Sequence, residues 1–168
     1  PMHEDQLEIL HLIGRVMAVN TVIDEERRLS MINFGEAISS HLYAVEYVRR
    51  YAEVPVDRRF RTVVTSAAGY PLDKTYYQTI KGILSAAPIV ADGGTLFVAS
   101  SCSEGLGSPE FARAQTRLAE VGADEFMQQM LAKSRADVDE WGTQLLLKAS
   151  GRIRIVLCTD GLTPEQRR

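Results

Sequence analysis

Cysteine, histidine and tryptophan are scarce in this 168-residue chain, and each scarcity closes off a chemistry. Only two cysteines occur, Cys102 and Cys158, far apart and each in an apolar, strand-like setting. Such a pair reads as reduced packing residues in a reducing compartment, not as a disulfide framework. His3, His11 and His41 are scattered, so no Cys or His pair has the spacing of zinc ligands. No Ser-His-Asp arrangement and no nucleophile elbow can be argued. No apolar run approaches the roughly 20 residues that span a bilayer. The opening Pro1-Met2-His3-Glu4-Asp5 has neither the basic flank nor the apolar stretch of a signal peptide. Positive charge is not in excess either: 19 Lys+Arg stand against 22 Asp+Glu, a net charge of −3. A nucleic-acid binder needs a basic face to neutralise phosphates. These absences predict a cytoplasmic protein with no nucleic-acid or membrane partner.

What is present is an ordinary globular composition, 45% hydrophobic and 24% charged, enough for a buried core. Leu7, Leu10, Ile13 and Met17 recur at helical spacing and predict a helix from Glu4 to about Val16. Val19 to Ile23 and Leu29 to Phe34 flank the charged turn Asp24 to Arg28, a hairpin signal. A second helix is expected from Glu36 to Tyr51, ended by Pro55. From there the texture changes. The β-branched run Arg61 to Ser66, a helix from about Lys74 to Ala87, a turn at Asp92-Gly93-Gly94 and a strand from Thr95 to Ser100 form a βαβ unit with parallel strands. Helices follow at Pro109 to Val121, Asp124 to Lys133 and Asp137 to Ala149, then a buried strand from Ile153 to Cys158. The expected fold is α/β: a central, mostly parallel sheet flanked by helices, with a helix, hairpin and helix as lead-in. The division falls at 1–54 and 55–168, unless the chain is one continuous domain.

The segment from Gly69 to Lys81 is where chemistry is expected. Asp73 is placed to cap the helix. Tyr76, Ile80, Ile83, Leu84 and Ala87 fall on one face, while Tyr77, Gln78 and Lys81 fall on an adjacent stripe near the N-terminal end. The loop that carries them follows a parallel strand, the usual mouth of an α/β ligand site. Lys81 brings a full positive charge, Gln78 an amide, and the helix start free N–H groups, a set that suits a small carboxylate. From spacing alone, Gln78 and Lys81 are equally read as solvated surface residues. The loop Ser101 to Ser108 is read as a connector or as one wall of the same cleft, since it matches neither a Walker loop nor a dinucleotide fingerprint. Trp141, the only tryptophan, reads by default as a core anchor. His41 has no visible acidic or cysteine partner and reads as a packed or surface histidine.

Gly69-Tyr70-Pro71-x-Asp73-x-x-x-Tyr77-Gln78-x-x-Lys81, then Gly93-Gly94-Thr95, then Glu104-Gly105-x-Gly107-Ser108-x-x-Phe111, resembles the C-terminal half of the nickel-dependent lactate racemase family. The His3-Glu4-Asp5 helix, Asn20, and Gly35 followed by Ala37 and His41 resemble the segment that joins the two halves of that family, and the likeness extends through Trp141 to Gln144. The resemblance implies a full-length enzyme whose nickel pincer nucleotide, metal ligands and catalytic histidines belong to an N-terminal domain absent from these 168 residues. It implies hydride transfer to that cofactor and back. In such an enzyme Lys81 and Gln78 orient a small 2-hydroxy acid, and Tyr77 and Trp141 line its pocket. On this view the chain is a fragment that binds no cofactor or metal itself and racemises nothing alone. It requires the N-terminal domain as partner, with a homo-oligomer left open. The alternatives are a non-catalytic module that holds an anion or nucleotide, and a purely structural domain.

Overall fold

The computed structural model describes residues 2–167, which fall into two compact units that divide between Pro55 and Val56. The first contains α1 (Met2–Ile13), β1 (Met17–Ile23), β2 (Leu29–Glu36) and α2 (Ala37–Ala52). β1 and β2 pair antiparallel, with Asn20 opposite Asn33. Their turn is tied by Asp24, whose carboxylate accepts from the amide and the guanidinium of Arg28. The face toward α2 is partly polar: the Asn20 amide donates to Ser40 Oγ at 2.7 Å, and Ser40 donates to Asn33 Oδ1 at 2.5 Å. Side chains alternate across a strand, so Val19, Ile32 and Phe34 lie on the other face and are exposed.

The second unit holds β3 (Phe60–Ser66), α3 (Tyr76–Ala86), a single 3-10 turn (Ala87–Ile89), β4 (Val90–Ala99), α4 (Pro109–Val121), α5 (Ala123–Leu131), α6 (Glu140–Ser150) and β5 (Arg154–Cys158). The strands lie in the order β3-β4-β5, all parallel. Leu96 and Val98 of β4 meet Ile80 and Ile83 of α3, Phe111 of α4 and Leu146 and Ala149 of α6 in one buried cluster. The core thus occupies one face of the sheet. On the opposite face Val64, Phe97 and Cys158 are exposed.

Several local expectations change. Asp73 does not cap α3. That role belongs to Thr75, whose hydroxyl accepts from the Gln78 amide, and Asp73 instead accepts from the Ser101 amide at 3.1 Å. Asp92 to Gly94 lies inside β4 as an irregularity of its pairing with β3, where a Cβ on Gly94 would meet the Arg61 carbonyl at 2.9 Å. α6 starts at Glu140, three residues after the expected point. Cys102 is buried in the loop after β4 with φ 48, so it is not a strand residue.

Candidate functional site

α3 is set hard against the end of β3. A Cβ on Gly82 would stand 2.7 Å from the Ser66 carbonyl, so the helix approaches the strand as closely as backbone allows. This buries Thr79, Ile80 and Ile83 and leaves the Tyr77, Gln78 and Lys81 stripe on the outer side. Beneath it lies a small polar cluster: Thr79 Oγ1 is 2.6 Å from Ser100 Oγ, and both approach the Cys102 thiol. Burial next to this cluster pushes the Tyr76 hydroxyl up to about 12, with Cys102 adding to the effect.

The expected free amides at the start of α3 are occupied. The Tyr76 amide donates to the Gly105 carbonyl at 2.9 Å, the Tyr77 amide to Leu106 at 3.0 Å, and the Gln78 amide to Thr75. The loop Ser101 to Ser108 runs alongside residues 73–77, with further bonds from Cys102 to the Asp73 carbonyl and Glu104 to the Lys74 carbonyl and a Lys74–Glu104 ion pair. A helix start whose N–H groups are already filled has none left for an anion. The loop is a strap over the helix start.

Tyr77, Lys81 and Trp141 come together. The Lys81 ammonium lies 6.0 Å from the centre of the Tyr77 ring, and the Tyr77 and Trp141 rings meet edge to face at 6.0 Å. Trp141 is 45% exposed and is therefore not a core anchor. On the inner side Tyr77 packs against Phe111 at 5.2 Å. Burial raises the Tyr77 phenol above its ordinary value, the charge and hydrogen bonding of Asp139 raise it further, and hydrogen bonding with Trp141 opposes the change. Gln78, half-buried, is one turn before Lys81. Among the described residues neither the Gln78 carboxamide nor the Lys81 ammonium has an ion pair or hydrogen bond. Asp139, whose carboxylate accepts from Ser108 at 2.6 Å, carries no sequence signal of its own and looks like an ordinary residue before a helix.

A separate cleft of about 850 Å³ lies at the carboxyl ends of the three parallel strands, lined by Ser66, Asp73, Ser101, Thr159, Asp160 and Gly161 among others. Tyr77, Gln78, Lys81 and Trp141 are not in its lining. Hydroxyls and two carboxylates dominate its polar groups, a poor match for an anion. No three His, Cys, Asp or Glu side chains gather into a metal-holding group among the described residues, and none of their helices is long and apolar enough to cross a membrane. His41 is exposed on α2.

The family model described as Lactate racemase C-terminal domain matches residues 57–167. The chain is similar to the lactate racemase of Thermoanaerobacterium thermosaccharolyticum, with 28% identity over 165 residues, 95% of this chain and 37% of that protein. It is 24% identical over 168 residues to the lactate racemase of Lactiplantibacillus plantarum, covering 98% of this chain and 38% of that protein. The solved structure of the Thermoanaerobacterium lactate racemase apoprotein superposes with a TM-score of 0.84 at 26% identity, over 95% of this chain and 38% of the other. The chain thus spans less than two fifths of the length of the relatives it matches. The match begins one residue after the boundary between the two units and takes in all the strands and helices of the second. On that ground the chain belongs to the lactate racemase C-terminal domain family.

Proposed function

We propose that this chain is the substrate-closing C-terminal domain of a 2-hydroxy-acid racemase, in which Lys81 and Gln78 orient the substrate while Tyr77 and Trp141 form one wall of its pocket. The observation that carries the reading is the unpaired Lys81 ammonium beside an aromatic pair, with the unpaired Gln78 side-chain carboxamide one turn away on α3. A carboxylate and a neighbouring hydroxyl need one strong cationic donor and one group that both donates and accepts. Lys81 and Gln78 offer that pair, and the rings beside them keep water off one side of the bound acid.

The racemisation itself belongs to the whole enzyme. The relatives carry more than half of their length beyond the region matched here, and the proposed partner is the cofactor-bearing N-terminal domain. A nickel pincer nucleotide would supply hydride transfer there. In this reading the part played by this chain is to grip and orient the substrate and to exclude water. Exposed apolar side chains on the open strand faces, Phe34 at 69% and Val64 at 76%, support a larger assembly. A stand-alone anion or nucleotide module has less support, because the first amides of α3 are filled and the strand-end cleft carries Asp73 and Asp160.

The test is a titration of the 168-residue chain with D- and L-lactate, followed by the fluorescence of its single tryptophan. A saturable change is expected, and Lys81→Ala should weaken it by about 1.5–3 kcal/mol, the worth of a hydrogen bond to a charged group. Lactate binding that survives Lys81→Ala at full strength overturns the reading, and so does the absence of any binding.

A further inference from the structure

An antiparallel sheet with one open face ordinarily turns its apolar side chains toward the core and its polar ones toward water. The β1–β2 hairpin departs from that. Toward α2 it presents Asn20 and Asn33, both hydrogen-bonded to Ser40. On the open face Val19 pairs with Phe34 and Ile23 with Leu29, and Ile32 lies between the two pairs. These five side chains are each 58% to 69% exposed. Neighbours across strands are close enough to form one continuous apolar ladder.

The edges are as bare as the face. β1 and β2 form a sheet of two strands, so each has one edge without a neighbouring strand among the described residues. Free edges are normally guarded by lysine, by proline or by an inward charge. Residues 17–23 and 29–35 contain no charged residue and no proline. The helix that leads into β1 adds Leu12 and Ile13, both exposed. An apolar face of this extent with unguarded edges marks a contact surface.

The comparisons of length indicate what covers it. The C-terminal domain model begins at residue 57 and leaves this unit out. The two lactate racemases nevertheless match across it, over 95% and 98% of the chain. Their counterpart of residues 1–55 therefore lies outside the C-terminal domain, in proteins more than three fifths of whose length is unmatched. A second copy of this chain fits less well. Stable association of free partners takes about 20–30 residues a side, and strands of 7 and 8 residues turn only every other side chain to this face. A region joined in the same chain acts at high effective concentration and can be held by a smaller surface.

We propose that the open face of the β1–β2 hairpin is the docking surface for the part of the enzyme outside these 168 residues, the cofactor-bearing N-terminal domain named above, which meets it with an apolar surface of its own. The proposal rests on the reading of this chain as one part of a larger racemase.

The test is maleimide labelling of Ile32→Cys, in a Cys158→Ser background, in the 168-residue chain and in the full-length enzyme. Cys158 is exposed and Cys102 is buried, so the new thiol is the one that reacts. Labelling should be at least about tenfold slower in the full-length enzyme, where the covering domain must first open. Glu25→Cys, on the exposed hairpin turn, should react alike in both. If Ile32→Cys fails to fold, hydrogen exchange of the unaltered proteins decides: the amides of residues 17–23 and 29–36 should exchange more slowly in the full-length enzyme. Equal labelling or equal exchange in the two proteins overturns the proposal. So does a 168-residue chain that light scattering shows to be a dimer with Ile32→Cys already shielded, since a second copy then covers the face. A reading frame that encodes nothing before Pro1 overturns it as well. Shielding of Ile32→Cys in an enzyme that does not bind lactate supports the docking surface and refutes the substrate reading alone. An unshielded Ile32→Cys in an active racemase refutes the docking surface alone.

Discussion

Residues that look ordinary in the sequence set the strictest conditions on this fold. Gly161 follows β5, and a Cβ there would lie 2.2 Å from the Cys102 carbonyl and 2.3 Å from that of Ser101. Its amide donates to the Ser101 carbonyl at 3.1 Å, so the two segments cross backbone to backbone. Gly161→Ala must push one of them away and is expected to cost about 2 kcal/mol or more. Urea unfolding gives the measure, read as a lower midpoint at unchanged slope. Gly122→Ala is the natural control, because open space surrounds it and only its φ of 81 opposes the change. A Gly161→Ala protein as stable as wild type would mean that the crossing yields easily. Among the proposed site residues, the Tyr77, Gln78 and Lys81 stripe was legible from helical spacing alone. The Asp139–Ser108 bond was not, because its two partners stand 31 positions apart.

At the scale of elements, α4 and α6 and the end of α5 are joined by one buried carboxylate. Glu140, 1% exposed, accepts from Arg117 at 2.9 Å, from Lys133 at 2.8 Å and from the Asp137 amide at 3.1 Å. Its truncation to alanine removes the buried acceptor that Arg117 and Lys133 share, leaving them only Asp137, and should cost about 3 kcal/mol. Burial by itself would raise the Glu140 carboxyl, but the Lys133 hydrogen bond and the Asp137 amide outweigh it and hold it below the usual carboxylate range. The unfolded chain therefore binds this proton more readily than the native one. The stability contributed by the charge is complete above the ordinary glutamate value of about 4.3 and is lost as pH falls through the depressed one. Urea unfolding of the wild type should weaken as pH is lowered from about 6 to 3, and Glu140→Gln should flatten that decline. An identical decline in both proteins would assign acid sensitivity to other carboxylates. Periodicity located these helices to within a few residues but did not single out Glu140, because pattern records spacing and not which neighbours close over a side chain.

At the scale of the whole molecule, the two units differ in what they can sustain alone. Residues 56–168 enclose their own cluster of Ile80, Ile83, Leu96, Val98, Phe111 and Leu146. Residues 1–55 offer a two-stranded hairpin with α1 and α2, and a lone hairpin of that kind is marginal in water. A fragment of residues 56–168 should unfold in a single cooperative transition and keep the Trp141 environment, as judged by urea titration and near-ultraviolet circular dichroism. Residues 1–55 alone should show no cooperative transition. A molten 56–168 fragment would place part of its stability in the lead-in.

Local chemistry in the chain determined the order and type of the elements, the parallel βαβ unit and the motif that identifies the family. These depend on spacing within a helix or strand and on a few residues in sequence, which a linear reading can follow. Only the folded chain decided that the helices cover one face of the sheet, that the Ser101 to Ser108 strap fills the first amides of α3, and that Asp139 turns from α6 toward Ser108. Each of those outcomes is a choice among hydrogen-bond partners or packing faces distant in sequence, and close packing of the whole unit is what selects one of them.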